Sequence, residues 1–255
     1  MSDLLRTYER GVLRVTLNRP ERRNALTRSM LRELRLVFEA HAAQEDLRLA
    51  VLTGGGMVAF SAGGDLDHLA ALDTSEEIES FAREGLAALD AIRGFPVPTV
   101  AALNGVTLGE GAELALACDM RVAAHDAWIG FVHAHLHLST SLGGGTDLLR
   151  IVGHARGLEL LATARRLSAA EAHTIGLVNR VAPADGEFME EVERFVAPMF
   201  EHQPHVLRAV KALALANRRG ASVAELREYE IASFLETSTH EAHRALLGKL
   251  QAERG

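Results

Sequence analysis

The feature that most constrains this chain is a short apolar run that ends abruptly in glycine: Leu49-Ala50-Val51-Leu52-Thr53, then Gly54-Gly55-Gly56. The run reads as a short buried strand closed by the glycines. Ahead of it, Thr27 is placed to cap a helix whose apolar face is Met30, Leu31, Leu34, Val37 and Phe38. Earlier still, Val12, Val15 and Leu17 form a strand-like stretch that stops at Asn18-Arg19-Pro20, because proline cannot extend a ladder. Strand, helix and buried strand in that order point to an α/β fold.

The unit recurs. A less periodic stretch over 67–79 leads into a helix over 80–93, and Val97 to Leu103 reads as a strand ending in the Asn104-Gly105 turn. Gly111 to Cys118 is a small-residue helix, Met120 to Ala124 a strand, and 145–164 one further helix. After Pro183 the pattern is helical almost throughout. The spacing therefore predicts an α/β core over 1–195 and a helical region over 196–255. In the latter, Phe234, Leu235, Leu246, Leu247 and Leu250 form a thin apolar stripe, suited either to a partner subunit or domain edge, or to an ordinary surface helix.

Composition removes several function classes. With 255 residues, 48% of them hydrophobic, the chain is long enough to bury a sizeable core. A net charge of -7 with no run of five like charges leaves no footprint for nucleic acid. Cys118 is the single cysteine, which excludes an internal disulfide framework and a multi-cysteine zinc site, and its apolar neighbours mark it as a core thiol. No apolar run approaches the roughly 18 residues of a membrane span. The N-terminus lacks the composition of an export signal, so a cytoplasmic location is expected.

Two glycine-rich segments carry the chemistry, because glycine lets backbone N–H groups approach a ligand oxygen closely. Neither has the spacing of a phosphate loop or a dinucleotide fingerprint. The first, Phe60-Ser61-Ala62-Gly63-Gly64-Asp65-Leu66, follows the buried strand at 49–53 and so should lie at a sheet's carboxyl edge, where open α/β folds bind ligands. The second, Asn104-Gly105 through Gly109-Glu110-Gly111-Ala112-Glu113-Leu114, follows a strand and opens a helix, whose first N–H groups are unpaired. One donor from each segment would hold the developing oxyanion of a thioester carbonyl.

These motifs, with Leu17-Asn18-Arg19-Pro20, Asn24-Ala25-Leu26, Gly143-Gly144-Gly145-Thr146 and Ile175-Gly176-Leu177-Val178-Asn179, resemble the crotonase superfamily, the enoyl-CoA hydratase/isomerase family, over most of the chain. The resemblance implies a spiral of strand-strand-helix turns and a C-terminal helical region that builds trimers, often paired into hexamers. It implies an acyl-CoA substrate, with coenzyme A as thioester carrier, no permanently bound cofactor and no metal. Ala62 N–H is implied as one oxyanion donor and the N–H of Glu110 as the other. CoA contacts are implied for Arg22, Ala25, Ser61, Ala62, Gly63, Gly64, Asp65, Leu66 and Lys249, with Arg19 and Arg23 flanking the same loop. Asp65 is expected to order its loop by capping.

Two positions depart from the family pattern. Glu110 stands where glycine is usual, so its carboxylate either opposes a forming enolate or is a solvated first-turn group favoured by the helix dipole. Glu113 matches the first of two catalytic glutamates, but the second is replaced by His133, in the segment Phe131-Val132-His133. That pattern resembles the ethylmalonyl-CoA and methylmalonyl-CoA decarboxylase branch. Decarboxylation needs an oxyanion hole and one proton donor rather than paired water-activating carboxylates, and His133 is able to protonate the enolate or to pair with a substrate carboxylate. Alternate spacing would also put His133, His135 and His137 on one face of a strand. The readings that stand are an enolate-stabilising lyase of malonyl-type CoA, a plain hydratase or isomerase, and a non-catalytic acyl-CoA-binding subunit.

Overall fold

The computed structural model describes residues 2–253. Among the described residues ten strands lie in two sheets: β1 (Leu4–Glu9), β2 (Val12–Leu17), β3 (Leu49–Gly54), β4 (Ala59–Ser61), β5 (Thr99–Leu103), β6 (Val106–Leu108), β7 (Met120–Ala123), β8 (Trp128–Gly130), β9 (Arg166–Ser168) and β10 (Arg180–Val181). The larger sheet has the order β1-β2-β3-β5-β7-β10 and is parallel except for the β1–β2 hairpin. The smaller has the order β4-β6-β8-β9. In the three turns that begin with β3, β5 and β7 one strand joins the larger sheet, the next joins the smaller, and helix follows, which is the spiral of strand-strand-helix turns.

Burial on β3 explains why its sequence is apolar without alternation. Ala50 and Leu52 join the main core, whereas Leu49 and Val51 join a second cluster on the opposite face. The main core is closed by α1 (Arg28–His41), whose buried residues are Met30, Leu31, Leu34, Val37 and Phe38, with Thr27 accepting the capping bond from Met30 N–H. After α2 (Leu66–Ala70), α3 (Ser75–Arg93) begins five residues earlier than its apolar pattern indicates. The reason is a capping box: Thr74 and Glu77 each satisfy the other's backbone N–H, and that first turn is exposed and carries no core residue.

Then come α4 (Glu110–Ala117), α5 (Gly144–Val152), α6 (His154–Thr163), α7 (Ala169–Thr174), α8 (Phe188–Val196), α9 (Pro204–Arg218), α10 (Val223–Thr239) and α11 (Glu241–Ala252). The single helix expected over 145–164 is two, because Gly153 adopts φ +82° and breaks the ladder. The edge strand β1 was not legible either; Arg10 and Gly11, both at positive φ, turn the chain back onto β2. Val192 and Val196 of α8 cover the second face of the larger sheet. α9 is fastened to the core by Lys211, whose Nζ donates to both carboxylate oxygens of Asp119 at 2.5 and 2.7 Å. Among the described residues no helix is long and apolar enough to cross a membrane.

Candidate active site

Phe60 and Ser61 are fully buried in β4, so the first glycine-rich segment leaves the smaller sheet and not β3 directly. It is stitched to the 23–26 segment by three backbone bonds: Ala62 N–H to the Arg23 carbonyl at 2.9 Å, Leu26 N–H to Gly63 at 2.8 Å, and Asp65 N–H to Leu26 at 2.9 Å. Buried Asn24, at φ +54°, braces both from beneath, its Nδ2 donating to the carbonyls of Ala59 at 2.7 Å and Gly55 at 3.0 Å. The expected oxyanion donor Ala62 is thereby corrected, since its N–H already has a backbone acceptor. Gly64 N–H is the one that faces the second segment, and it donates to Glu110 Oε2 at 2.8 Å.

Asp65 caps α2 and receives Arg19 Nη1 at 2.8 Å, and this guanidinium holds its carboxyl below the usual carboxylate range. Its side chain is a loop organiser. Arg19 is turned inward and also donates to the Ala25 carbonyl at 2.8 Å, whereas Arg22, Arg23 and Leu66 are exposed around the loop.

The second segment presses directly on the first. A Cβ placed at Gly111 would lie 2.6 Å from the Ser61 carbonyl oxygen, so only glycine lets α4 start here. That approach puts Glu110 against Gly63 and Gly64. A Cβ on Gly63 would stand 3.7 Å from the Glu110 nitrogen, and that N–H, as the first of α4, has no acceptor within the helix. The solvated reading of Glu110 is corrected too, because the residue is only 9% exposed and its carboxylate is folded back over the loop.

One turn on, Glu113 is fully buried. Its Oε2 accepts the N–H groups of Leu142 at 2.9 Å and Gly144 at 2.8 Å, and its Oε1 that of Ser141 at 3.3 Å. His133 Nε2 lies 3.1 Å from Oε1. The distance is that of an ion pair, but neither ring nitrogen has an aligned hydrogen-bond partner. Burial alone would lower the His133 pKa. The adjacent Glu113 carboxylate and the charge of Glu110 outweigh it, and the net shift is upward. His133 sits on a 3-10 turn, Val132–Leu136, not on a strand; His135 and His137 are exposed and His137 adopts φ +58°. The shared strand face expected for the three imidazoles is therefore absent. No group of three or more His, Cys, Asp or Glu side chains among the described residues is placed to hold a metal ion.

The turn that grips Glu113 has its own support, which sequence reasoning missed. Arg93 Nη2 donates to the Leu142 carbonyl at 2.7 Å and its Nε to Asp147 at 2.9 Å, while Arg218 of α9 reaches the same Asp147 oxygen at 2.8 Å. Nothing in the spacing of these three residues announces the contact. Lys249, on α11, lines a cleft with His205, Phe234 and Leu246, and that cleft includes no residue of the two glycine-rich segments. Within one chain, Lys249 is not brought to the site.

Residues 7–253 match the family model described as enoyl-CoA hydratase/isomerase. The chain is 32% identical over 251 residues to the 2,3-dehydroadipyl-CoA hydratase of Escherichia coli (strain K12), covering 98% of this chain and 96% of that one. An enoyl-CoA hydratase from Bacillus anthracis superposes with a TM-score of 0.92 at 28% identity, covering 99% of this chain and 97% of that one. A protein from Thermobifida fusca YX, solved in complex with acetoacetyl-CoA, superposes with a TM-score of 0.83 at 31% identity over 92% of this chain and 94% of that one.

Proposed function

Because the chain belongs to the enoyl-CoA hydratase/isomerase family, whose substrates are CoA thioesters, we propose that it stabilises a thioester enolate between the N–H groups of Gly64 and Glu110 and protonates it from His133. The observation that carries this reading is the state of Glu113. Three backbone N–H groups hold its carboxylate as an acceptor beside the imidazole, so it favours a charged His133 as the acid of the pair. In decarboxylation of a malonyl-type thioester, the bond from the α-carbon to the departing carboxylate breaks and its electron pair moves into the thioester. Carbon dioxide leaves, the enolate oxygen rests on the two N–H groups, and the proton on His133 passes to the α-carbon. The exposed guanidinium groups of Arg22 and Arg23 suit the phosphates of coenzyme A.

A second reading is plain hydration or isomerisation of an enoyl-CoA, with Glu113 activating water or moving a proton. The 32% identity to a 2,3-dehydroadipyl-CoA hydratase over nearly the whole chain favours it. Purified protein offered crotonyl-CoA and ethylmalonyl-CoA in parallel separates the two. Release of carbon dioxide, lowered about 10²- to 10⁴-fold in His133→Gln, supports decarboxylation. Hydration abolished by Glu113→Gln overturns it in favour of the second reading, and thioester binding without turnover overturns both in favour of a binding subunit.

A further inference from the structure

The geometry points to the Glu110 carboxylate as a built-in occupant of the oxyanion pocket, a plug that the thioester oxygen of an incoming substrate must displace. The inference rests on the acyl-CoA reading above and concerns what fills that site before substrate arrives. Gly64 N–H is the donor that the first glycine-rich segment turns toward α4, and at 2.8 Å it is held by Glu110 Oε2. The other carboxylate oxygen is equally close to the loop, since a Cβ on Gly64 would lie 3.0 Å from Oε1. The same residue supplies the second backbone donor at the start of α4, so its side chain curls back over the pair that its own main chain helps to form.

A carboxylate oxygen on that N–H is the electrostatic likeness of an enolate oxygen, acceptor and negative charge alike. Both cannot use one N–H at full strength, and two anions in a buried pocket repel more strongly than they would in water. Binding of the thioester carbonyl therefore requires the carboxylate to leave Gly64. Its charge already interacts favourably with His133, so the protonated imidazole offers the displaced side chain a counter-charge. A glycine at position 110 would leave the pocket open, with no displacement step. Glu110 thus tunes affinity for the carbonyl group specifically and leaves the nucleotide end of the ligand untouched.

The test compares butyryl-CoA with S-butyl-CoA, a thioether that lacks only the carbonyl oxygen, by titration calorimetry on wild type, Glu110→Ala and Glu110→Asp. Alanine removes the plug; aspartate keeps the charge but is one methylene short of Gly64. Both variants are expected to bind butyryl-CoA at least about tenfold more tightly than wild type, the scale of one hydrogen bond to a charged group, with S-butyl-CoA unchanged. Thioether binding with no thioester gain in either variant overturns the plug alone. Failure of all three proteins to bind either ligand overturns the acyl-CoA reading and the plug with it.

Discussion

The imidazole of His133 and the carboxylate of Glu113 face each other at 3.1 Å in a region where the first is 5% exposed and the second not at all. Because the net His133 shift is upward, the folded state binds the ring proton more tightly than the unfolded state does. The stabilising contribution is then complete below the ordinary histidine range and is lost as pH rises through the elevated folded value. Denaturant midpoints of wild type and His133→Gln are expected to differ most on the acidic side of that range and to converge above it. A gap that is constant with pH would mean the pair contributes no charge interaction.

Gly144 leaves no room for a side chain beside Glu113. A Cβ there would lie 2.4 Å from Cγ, 2.5 Å from Cβ and 2.7 Å from Cα of Glu113. The last of these atoms is main chain, so α4 could make room only by shifting its backbone. Gly144→Ala should therefore push Glu113 off the N–H groups that hold it. The expected cost is about 1 to 3 kcal/mol in stability, typical of overpacking, with activity falling by more than that loss explains. Urea unfolding paired with turnover on the identified substrate reads both.

Lys211 and Asp119 fasten α9 to the core, and the lysine side chain is 3% exposed against 21% for its partner. Burial lowers the Lys211 pKa more than the Asp119 carboxylate restores it, and the net shift is downward. Lys211→Met should leave Asp119 with its bonds to Thr99 and the more distant Arg218 guanidinium at 4.0 Å, and cost about 3 to 5 kcal/mol, the usual result of breaking one side of a buried pair. The double variant Lys211→Met with Asp119→Asn is expected to recover part of that loss in equilibrium unfolding.

What sequence could and could not show divides along physical lines. The buried strand β3, the capped α1 and the alternation of β2, β3, β5 and β7 with helices were legible because periodicity and capping are local signals, whereas β1, β10 and the short strands of the smaller sheet were not. Both glycine-rich segments were found for the same reason. What remained hidden depends on tertiary contact: which N–H of the first loop is already engaged, that Glu110 folds inward, and that Arg93 and Arg218 meet at Asp147 behind the Glu113 turn. The alternate histidines misled because a period of two resembles a strand, and only the fold reveals the 3-10 turn that breaks it.

The C-terminal helices leave apolar side chains uncovered. On α10, Ile231, Phe234 and Leu235 are 63%, 73% and 63% exposed, and their spacing of three and four residues puts them on one face. On α11, Leu246, Leu247 and Leu250 are 55%, 44% and 44% exposed. Single exposed apolar residues are ordinary, but six on two consecutive helices form a patch that water disfavours and a second copy of the chain would cover. Self-association through this face is also what would carry Lys249 of one chain toward the CoA loop of another, since within a chain it stands in a separate cleft. Sedimentation equilibrium is expected to give a mass of three or six chains, and Phe234→Glu to shift it toward the monomer. If the wild type sediments as a single chain, the patch has another occupant and Lys249 makes no contact with coenzyme A.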